Sequence, residues 1–161
     1  MEICTLASGS SGNCLLVRSG HTNILIDAGI SARRITTGLK TLGVAPEKLD
    51  GIFITHAHTD HIAGLATLTK KLTMPIYASA DTAHQICSKI PWIDYLIEEI
   101  KPGSGVELGE MWCQSFATPH DAPGSMGYSV TAEGCKMALA TDLGHLTQSV
   151  MEGIAGSDLI V

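Results

Sequence analysis

The chain of 161 residues is 45% hydrophobic and 16% charged, which is typical of one globular domain and excludes a disordered segment. Its formal net charge of −6 argues against a broad basic surface for non-specific nucleic-acid binding, but leaves a nucleic-acid substrate open. No apolar run approaches the roughly 18 residues that cross a bilayer, and the N-terminus has no secretory pattern, so we expect a cytoplasmic protein with no membrane contact. The five cysteines form no C-x-x-C pair, and we expect their thiols to be reduced.

The first half of the sequence alternates apolar strand patterns with helical ones. Strands are predicted over residues 3–7, 14–17, 23–27, 51–55 and 75–78, the first two joined by the turn-rich run SGSSGN. Ser31 is a suitable N-cap for the helix that follows, whose apolar residues recur at helical spacing, and Gly43 is a suitable stop. Two further helices are predicted, over His61–Leu72 and Asp81–Ile90.

The second half is richer in strand patterns. It predicts paired strands over Val106–Thr118 that turn near Gly109, strands at 127–131 and 136–141, a short helix over Thr147–Ala155 and a last strand at 158–161. The element order implies α/β layering in one domain that spans residues 1–161. The last strand, DLIV, has no turn or polar residue after it. We therefore expect a C-terminally incomplete domain with exposed apolar surface on its second half, and marginal stability or self-association.

Four residues that can bind a metal lie in the six-residue stretch HAHTDH, directly after the strand at 51–55. They are His56, His58, Asp60 and His61. A tight loop between a strand and a helix allows these side chains to converge, and imidazole together with carboxylate suits zinc, manganese or iron. The alternative interpretation is a polar loop without a chemical role.

Two further metal-capable residues follow apolar strand patterns. His120 lies in ATPHDA and Asp142 in ALATDLGH. Each would emerge at the end of a strand, where α/β proteins assemble active sites. Taken alone, His120 fits an ordinary loop histidine equally well, and Asp142 fits a turn residue before Gly144.

The order of these motifs resembles that of the metallo-β-lactamase-fold hydrolases, and the resemblance covers the whole chain. The motifs are LIDAG, THAHTDH, His120 and Asp142, and the opening ASGSSGNC is similar to the YycJ-type (WalJ-type) subgroup, which is linked to DNA processing. The resemblance implies an αββα four-layer sandwich, of which this chain holds the first half and the start of the second.

The resemblance also implies two divalent cations, with zinc expected and manganese or iron as alternatives. His56, His58 and His120 would hold the first cation, and Asp60 and His61 the second, with Asp142 bridging both. The family supplies one further histidine from a later strand, and the sequence to Val161 contains no such residue. We therefore expect an incomplete protein shell around the second cation.

The chemistry of such a pair explains which residues would be catalytic. Two cations about 3.5–4 Å apart can share a bridging hydroxide and offset the charge that grows on a phosphoryl or carbonyl oxygen. Asp60, which would also orient the hydroxide, and Asp142 are the catalytic candidates. Asp27 would hold a ligand histidine or the loop backbone in place, unless it is only a turn residue. His145 would bind a substrate phosphate or support Asp142, with an exposed loop histidine as the alternative.

The resemblance to YycJ-type proteins implies a binuclear metal-dependent hydrolase, specifically a phosphodiesterase that acts as an exonuclease on DNA from a 5′ end. Nucleic acid is therefore the expected partner, and the oligomeric state is left open. A thioester or lactone hydrolase of the same fold is one alternative. A metal-stabilised binding module without catalysis is an alternative from another class.

Overall fold

Two β-sheets packed face to face form the centre of the fold in the computed structural model, which describes residues 1–161. The first sheet has six strands that lie side by side in chain order: β1 (Glu2–Ala7), β2 (Cys14–Ser19), β3 (Thr22–Ile26), β4 (Gly51–Phe53), β5 (Ile76–Ala78) and β6 (Ile97–Glu99). The second sheet has five strands: β7 (Gly105–Leu108), β8 (Met111–Ala117), β9 (Met126–Ala132), β10 (Cys135–Leu139) and β11 (Leu159–Ile160). The last of these is an edge strand that pairs with β10 in parallel.

Helices cover the outer faces of both sheets. They are α1 (Ala32–Thr41), α2 (Thr59–Ile62), α3 (Leu65–Leu68), α4 (Ala80–Lys89) and α5 (Gln148–Ile154), with 3₁₀ turns at Pro46–Lys48 and Pro91–Leu96. Buried residues of α1, α3 and α4 share one hydrophobic cluster with the first sheet, whereas α5 lies against β8, β9 and β10. The predicted α/β sandwich of four layers is confirmed.

Alternation of side chains along the central strands builds two separate cores. Leu16 and Leu25 point towards the helices and belong to the larger cluster of 25 buried residues. Their neighbours Leu15, Ile24 and Ile26 point the other way, into a cluster of 14 buried residues between the two sheets. Because successive side chains of a strand face opposite sides, strands buried on both faces read as nearly continuous apolar runs.

The topology places several loops at one edge of the sandwich. Strands β3 to β6 run parallel, so their carboxyl ends share an edge. Strands β8 and β10 both run antiparallel to β9, so they also end on a common side of the second sheet. The backbone N–H of Met126 donates to the carbonyl of Thr55 at 2.9 Å and joins the two edges. Loops that follow β3, β4, β8 and β10 are thereby brought together.

The prediction of one helix over His61–Leu72 is wrong, because the chain forms the two short helices α2 and α3. Tertiary hydrogen bonds replace the helical ones at the break. The carbonyl of Asp60 accepts from the N–H of Asn13 at 2.8 Å, and the N–H of Gly64 donates to the carbonyl of Ala28 at 2.8 Å. A helical bond between Gly64 and Asp60 is therefore not formed, although Ala63 and Gly64 keep helical dihedral angles.

Other elements follow the sequence more closely. The side chain of Ser31 accepts from the N–H of Arg34, as its predicted N-cap role requires. Gly109, with φ of 52°, forms the turn between β7 and β8. Strand β6 was not predicted, since its three residues follow a 3₁₀ turn and include two exposed glutamates.

Large apolar side chains are exposed on both halves of the fold, each between 42% and 71% exposed. Trp92 and Tyr95 precede β6, and the second half carries Trp112, Leu146, Met151, Leu159, Ile160 and Val161. None of the helices combines the length and the apolar character that crossing a membrane requires. Self-association of this surface stays a prediction.

Candidate metal centre

The candidate site lies at the shared edge of the sandwich, where β3 and β4 end side by side. Asp27 follows β3 directly, and the loop that carries the histidine cluster follows β4 after Ile54 and Thr55. Both Asp27 and His56 are only 1% exposed. Burial of these polar groups requires partners, because an unpaired polar group inside a protein is costly.

His56 lies at the centre of the cluster. Its ring centroid is 4.6 Å from that of His58, 4.0 Å from that of His61 and 4.5 Å from that of His120. Side chains from the segment after β4 and from the loop after β8 thus meet around His56, as the position of each after a strand predicts.

The side chains form two groups of possible metal ligands, and both contain His56. The first group is His56, His58 and His120, and the second is His56, His61 and Asp142. Within each group the ligand atoms all lie within 4.8 Å of one another. The structure therefore brings His120 and Asp142 to the cluster, although their roles as ligands stay predictions.

His56 itself fits a cation. Its Nε2 is buried and has no hydrogen-bond partner, while its Nδ1 lies 3.0 Å from the hydroxyl of Thr55. Burial lowers the pKa of His56 from 6.5 to about 4, and the charges of His61, His120 and His58 add to this effect. The ring is therefore neutral at neutral pH, with a lone pair directed into the cluster. A bound cation would satisfy this atom, since metal ligation requires a deprotonated nitrogen.

Asp142 and Asp60 occupy different positions relative to the two groups. Asp142 Oδ2 lies 3.1 Å from His61 Nε2 and 3.9 Å from His56 Nε2. Asp142 has φ of 55°, in the left-handed region that costs energy for a residue with a side chain. Asp60 Oδ2 lies 3.5 Å from His61 Nε2, but Asp60 belongs to neither group. The carboxylate expected to orient the nucleophile thus stands beside the second group.

Asp27 holds His61, as one of its two predicted roles requires. Its Oδ2 lies 2.7 Å from His61 Nδ1, and its Oδ1 accepts from the backbone N–H of Thr55 at 2.9 Å. Although burial works to lower the pKa of His61, the hydrogen bond and the charge of Asp27 outweigh it, so that the pKa is raised. A carboxylate in this position fixes Nδ1 as the protonated nitrogen and leaves Nε2 free to bind.

His145 lies at the mouth of the site. It is exposed and lines the same open depression as His120 and Asp142, formed by residues 119–121 and 142–145. The depression has a volume of about 610 Å³. The position of His145 is compatible with substrate binding, and no hydrogen bond joins its side chain to Asp142.

Three further residues contact the site, and none of them was assigned a role from the sequence. The hydroxyl of Thr55 donates to Asp27, and the side-chain amide of Asn13 reaches His61 and Asp60. Lys89 Nζ donates to the carbonyl of Ala57 at 2.7 Å, within the histidine loop. Thr55 and Asn13 stand in the motifs that carry the family resemblance, whereas Lys89 comes from α4 and has no sequence signal.

Replacing Gly29 with alanine is expected to destabilise the histidine loop severely. A Cβ at this position would lie 1.6 Å from the carbonyl oxygen of Asp60 and 2.7 Å from the backbone nitrogen of Asn13. Because both contacts are backbone atoms, we expect a loss of about 3 kcal/mol or more in the free energy of unfolding. Urea denaturation measures this, with Gly38→Ala as the control. A Cβ at Gly38 meets only a methyl group of Leu6, so a similar loss in both variants would contradict the expectation.

The stability of the metal-free chain is expected to fall on mild acidification. The pKa of His56 is about 4 in the folded chain and 6.5 ordinarily. Between these values the unfolded chain binds a proton that folded His56 does not, so the free energy of unfolding decreases as the pH falls through this window. Urea midpoints measured from pH 7 to pH 4 should show this slope, and His56→Ala should reduce it. An unchanged slope in the variant would show that other groups cause the loss.

Comparisons with known proteins identify the family of the chain. Residues 7–158 match the metallo-beta-lactamase superfamily. The chain is 32% identical over 164 residues to the exodeoxyribonuclease YycJ of Bacillus anthracis, covering 100% of this chain and 61% of that protein. It is 33% identical over 156 residues to the exodeoxyribonuclease WalJ of Streptococcus pneumoniae, covering 95% of this chain and 58% of that protein.

Solved structures show the same architecture. A metallo-beta-lactamase from Cronobacter sakazakii superposes with a TM-score of 0.76 at 22% identity, covering 94% of this chain and 69% of that one. At this identity the likeness concerns the fold alone. The sequence match over almost the whole chain, together with the likeness to YycJ and WalJ, confirms the resemblance seen in the motifs. The chain therefore belongs to the metallo-beta-lactamase superfamily.

Proposed function

We propose that this protein is a binuclear metal-dependent phosphodiesterase that removes nucleotides from DNA. The observation that carries the proposal is the pair of donor groups that share His56 at an open edge of the sandwich. The two curated relatives described above are exodeoxyribonucleases, and this favours a DNA substrate. Because the chain spans about three fifths of the length of those relatives, we infer the activity and the substrate from the site and the likeness together.

In this proposal two divalent cations bind at the cluster. His56, His58 and His120 hold the first. Asp60, which stands beside the second donor group, and His61 hold the second, with Asp142 between the two cations. Bound cations would supply a nucleophilic water near neutral pH and positive charge beside the substrate oxygens. The nitrogen-rich donor set with carboxylates favours zinc, and manganese or iron also accept it.

The carboxylates and the exposed histidine have separate roles in the reaction. The side chain of Asp60 is 32% exposed, so it can accept a hydrogen bond from the attacking water and set its direction. His145, which lines the open depression, donates to a phosphate oxygen of the substrate. Asp121 and Asp142 in the same depression would repel DNA if left uncompensated. Cation binding therefore has to precede substrate binding, because the positive charge offsets these carboxylates.

The test is an assay of substrate classes with the cation-loaded chain. A 5′-phosphorylated single-stranded DNA with a 3′ label is incubated with Mn²⁺ or Zn²⁺, in parallel with a thioester and a lactone. We expect progressive shortening of the DNA from its 5′ end and no turnover of the other two substrates. Chelation of the cations with EDTA should return the rate to the background.

Two results would contradict the proposal. Hydrolysis of the thioester or the lactone with the DNA left intact would assign a different substrate class. Intact DNA together with two bound cations per chain, and no turnover of any substrate, would favour a metal-stabilised binding module. Elemental analysis of the same preparations gives the number of cations, so the two results are distinguishable.

A further inference from the structure

The backbone of Asn13 connects the loop between β1 and β2 with the segments that follow β3 and β4. Asn13 is the last residue of the loop between β1 and β2. Its N–H donates to the carbonyl of Asp60 at 2.8 Å, and its carbonyl accepts from the N–H of Gly29 at 2.7 Å. Any residue other than proline at position 13 can form these two bonds. These backbone bonds alone place the Asn13 side chain beside the site, independently of the contacts that the side chain makes.

The side-chain amide of Asn13 faces the second donor group. Its Nδ2 lies 3.1 Å from His61 Nε2 and 3.4 Å from Asp60 Oδ2. At the other end, its Oδ1 accepts from the backbone N–H of Gly9 at 3.0 Å, within the loop of residues 8–12. The amide thus joins this loop to two of the proposed cation ligands.

Electrostatics determine the orientation of the amide. The backbone N–H of Gly9 donates to Oδ1 at 3.0 Å, so the NH₂ group is turned towards Asp60 Oδ2 and His61 Nε2. The opposite orientation would place Oδ1 against the Asp60 carboxylate. It would also place the NH₂ group against the N–H of Gly9. The amide can therefore only donate towards the site.

We propose that Asn13 is a positioning residue of the second cation site, an inference that rests on the proposed binuclear function. The NH₂ group of Asn13 faces His61 Nε2 and Asp60 Oδ2, on two of the residues that would hold the second cation. In a cation-loaded chain it would hold the Asp60 carboxylate in place. The bond to Gly9 is unaffected, so the loop of residues 8–12 stays attached to the site with and without the cation.

Two substitutions separate the donor from the shape of the side chain. Asn13→Ala removes the amide, whereas Asn13→Asp keeps an oxygen for the N–H of Gly9 and replaces the donor by a second carboxylate beside Asp60. Asn23→Ala is the matched control. Its amide donates to the carbonyls of His21 and Lys48 at the start of β3, the end remote from the site. It removes a comparable number of hydrogen bonds without touching a proposed ligand.

The experiment is a Co²⁺ titration of the cation-free full chain, followed by visible absorption and by elemental analysis. In Asn13→Ala and Asn13→Asp we expect the affinity for the second cation to fall about 10- to 100-fold, as for other residues that orient a ligand. The affinity for the first cation should stay within about threefold, because none of its ligands contacts Asn13. The control should bind both cations as the wild-type chain does.

The outcomes distinguish this inference from the proposed function. Second-site affinity in both Asn13 variants equal to that of the wild-type chain would overturn the positioning role. Equal weakening in Asn23→Ala would overturn it as well, because the effect would then be one of general stability. A wild-type chain that binds only one cation would overturn the binuclear proposal and the inference with it. Two cations without DNA hydrolysis would overturn the proposed reaction and leave the role of Asn13 supported if its variants lose the second cation.

Discussion

Replacing His56 with alanine is expected to release the first cation and reduce DNA hydrolysis at least about 10³-fold. His56 is the one residue that both donor groups contain, and its buried Nε2 has no other partner. Cations contribute several kcal/mol to the stabilisation of a hydrolytic transition state, and each 1.36 kcal/mol corresponds to a factor of ten in rate. Elemental analysis and the rate of nucleotide release measure the two effects.

His58→Ala provides a graded comparison for this result. His58 is exposed and belongs only to the first group, so this variant should weaken the first cation and retain the second. His84→Ala is the control, since His84 is exposed on α4 and is in neither group. It should leave cation content and rate unchanged. If His56→Ala retained two cations, His56 would not be a required cation ligand, and its central position would not support the proposal.

The sequence predicts the members of the site but not their ranking. The spacing of His56, His58, Asp60 and His61 made the four residues equivalent candidates. In the structure they differ, because only His56 is both buried and shared by the two groups, and Asp60 lies outside them. These differences depend on how the loop after β8 folds over the loop after β4. The contact between these two loops is part of the tertiary structure, and the spacing of residues within one motif does not predict it.

The same limit explains the helix that was predicted wrongly. Between His61 and Leu72 the apolar residues recur at helical spacing, and this periodicity correctly identifies the buried face. The helix is nevertheless interrupted, because the carbonyls of Asp60 and His61 accept from Asn13 and Ala28. The motif around Asp27 thus covers the backbone of the histidine loop. Sequence periodicity reports which face is buried, whereas these tertiary hydrogen bonds decide where the helix stops.

Asp27 contributes both to the arrangement of the site and to the contact that interrupts the helix. Its replacement is expected to have the second large effect. The carboxylate is 1% exposed and accepts from His61 Nδ1, from the Thr55 backbone and from the Thr55 hydroxyl. Asp27→Ala should lower the free energy of unfolding by about 3–5 kcal/mol, because removing one partner of a buried pair leaves the others unsatisfied. Urea denaturation of the metal-free chain measures this loss. Ser149→Ala on α5, remote from the site, serves as the control.

Asp27→Asn tests the chemical role more directly than the alanine variant. Asparagine tolerates the left-handed backbone at this position, where φ is 61°. Its oxygen can still accept from the Thr55 N–H, but its NH₂ group then faces His61 Nδ1. His61 would lose the proton on Nδ1 and carry it on Nε2, the nitrogen that a cation needs. We therefore expect the fold to persist while the affinity for the second cation falls about 10- to 100-fold.

Nitrogen-15 chemical shifts of the His61 ring distinguish this explanation from a simple loss of packing. In the metal-free wild-type chain the proton should reside on Nδ1, and in Asp27→Asn it should move to Nε2. A variant with weakened cation binding and an unchanged tautomer would show that Asp27 acts through packing alone. A variant with wild-type affinity would show that the carboxylate does not prepare His61 for the cation. The bond between Asp27 and His61 joins the end of β3 to the histidine loop, so it can contribute both to stability and to cation binding. Comparing the free energy of unfolding with the cation affinity of the same variant distinguishes these two contributions.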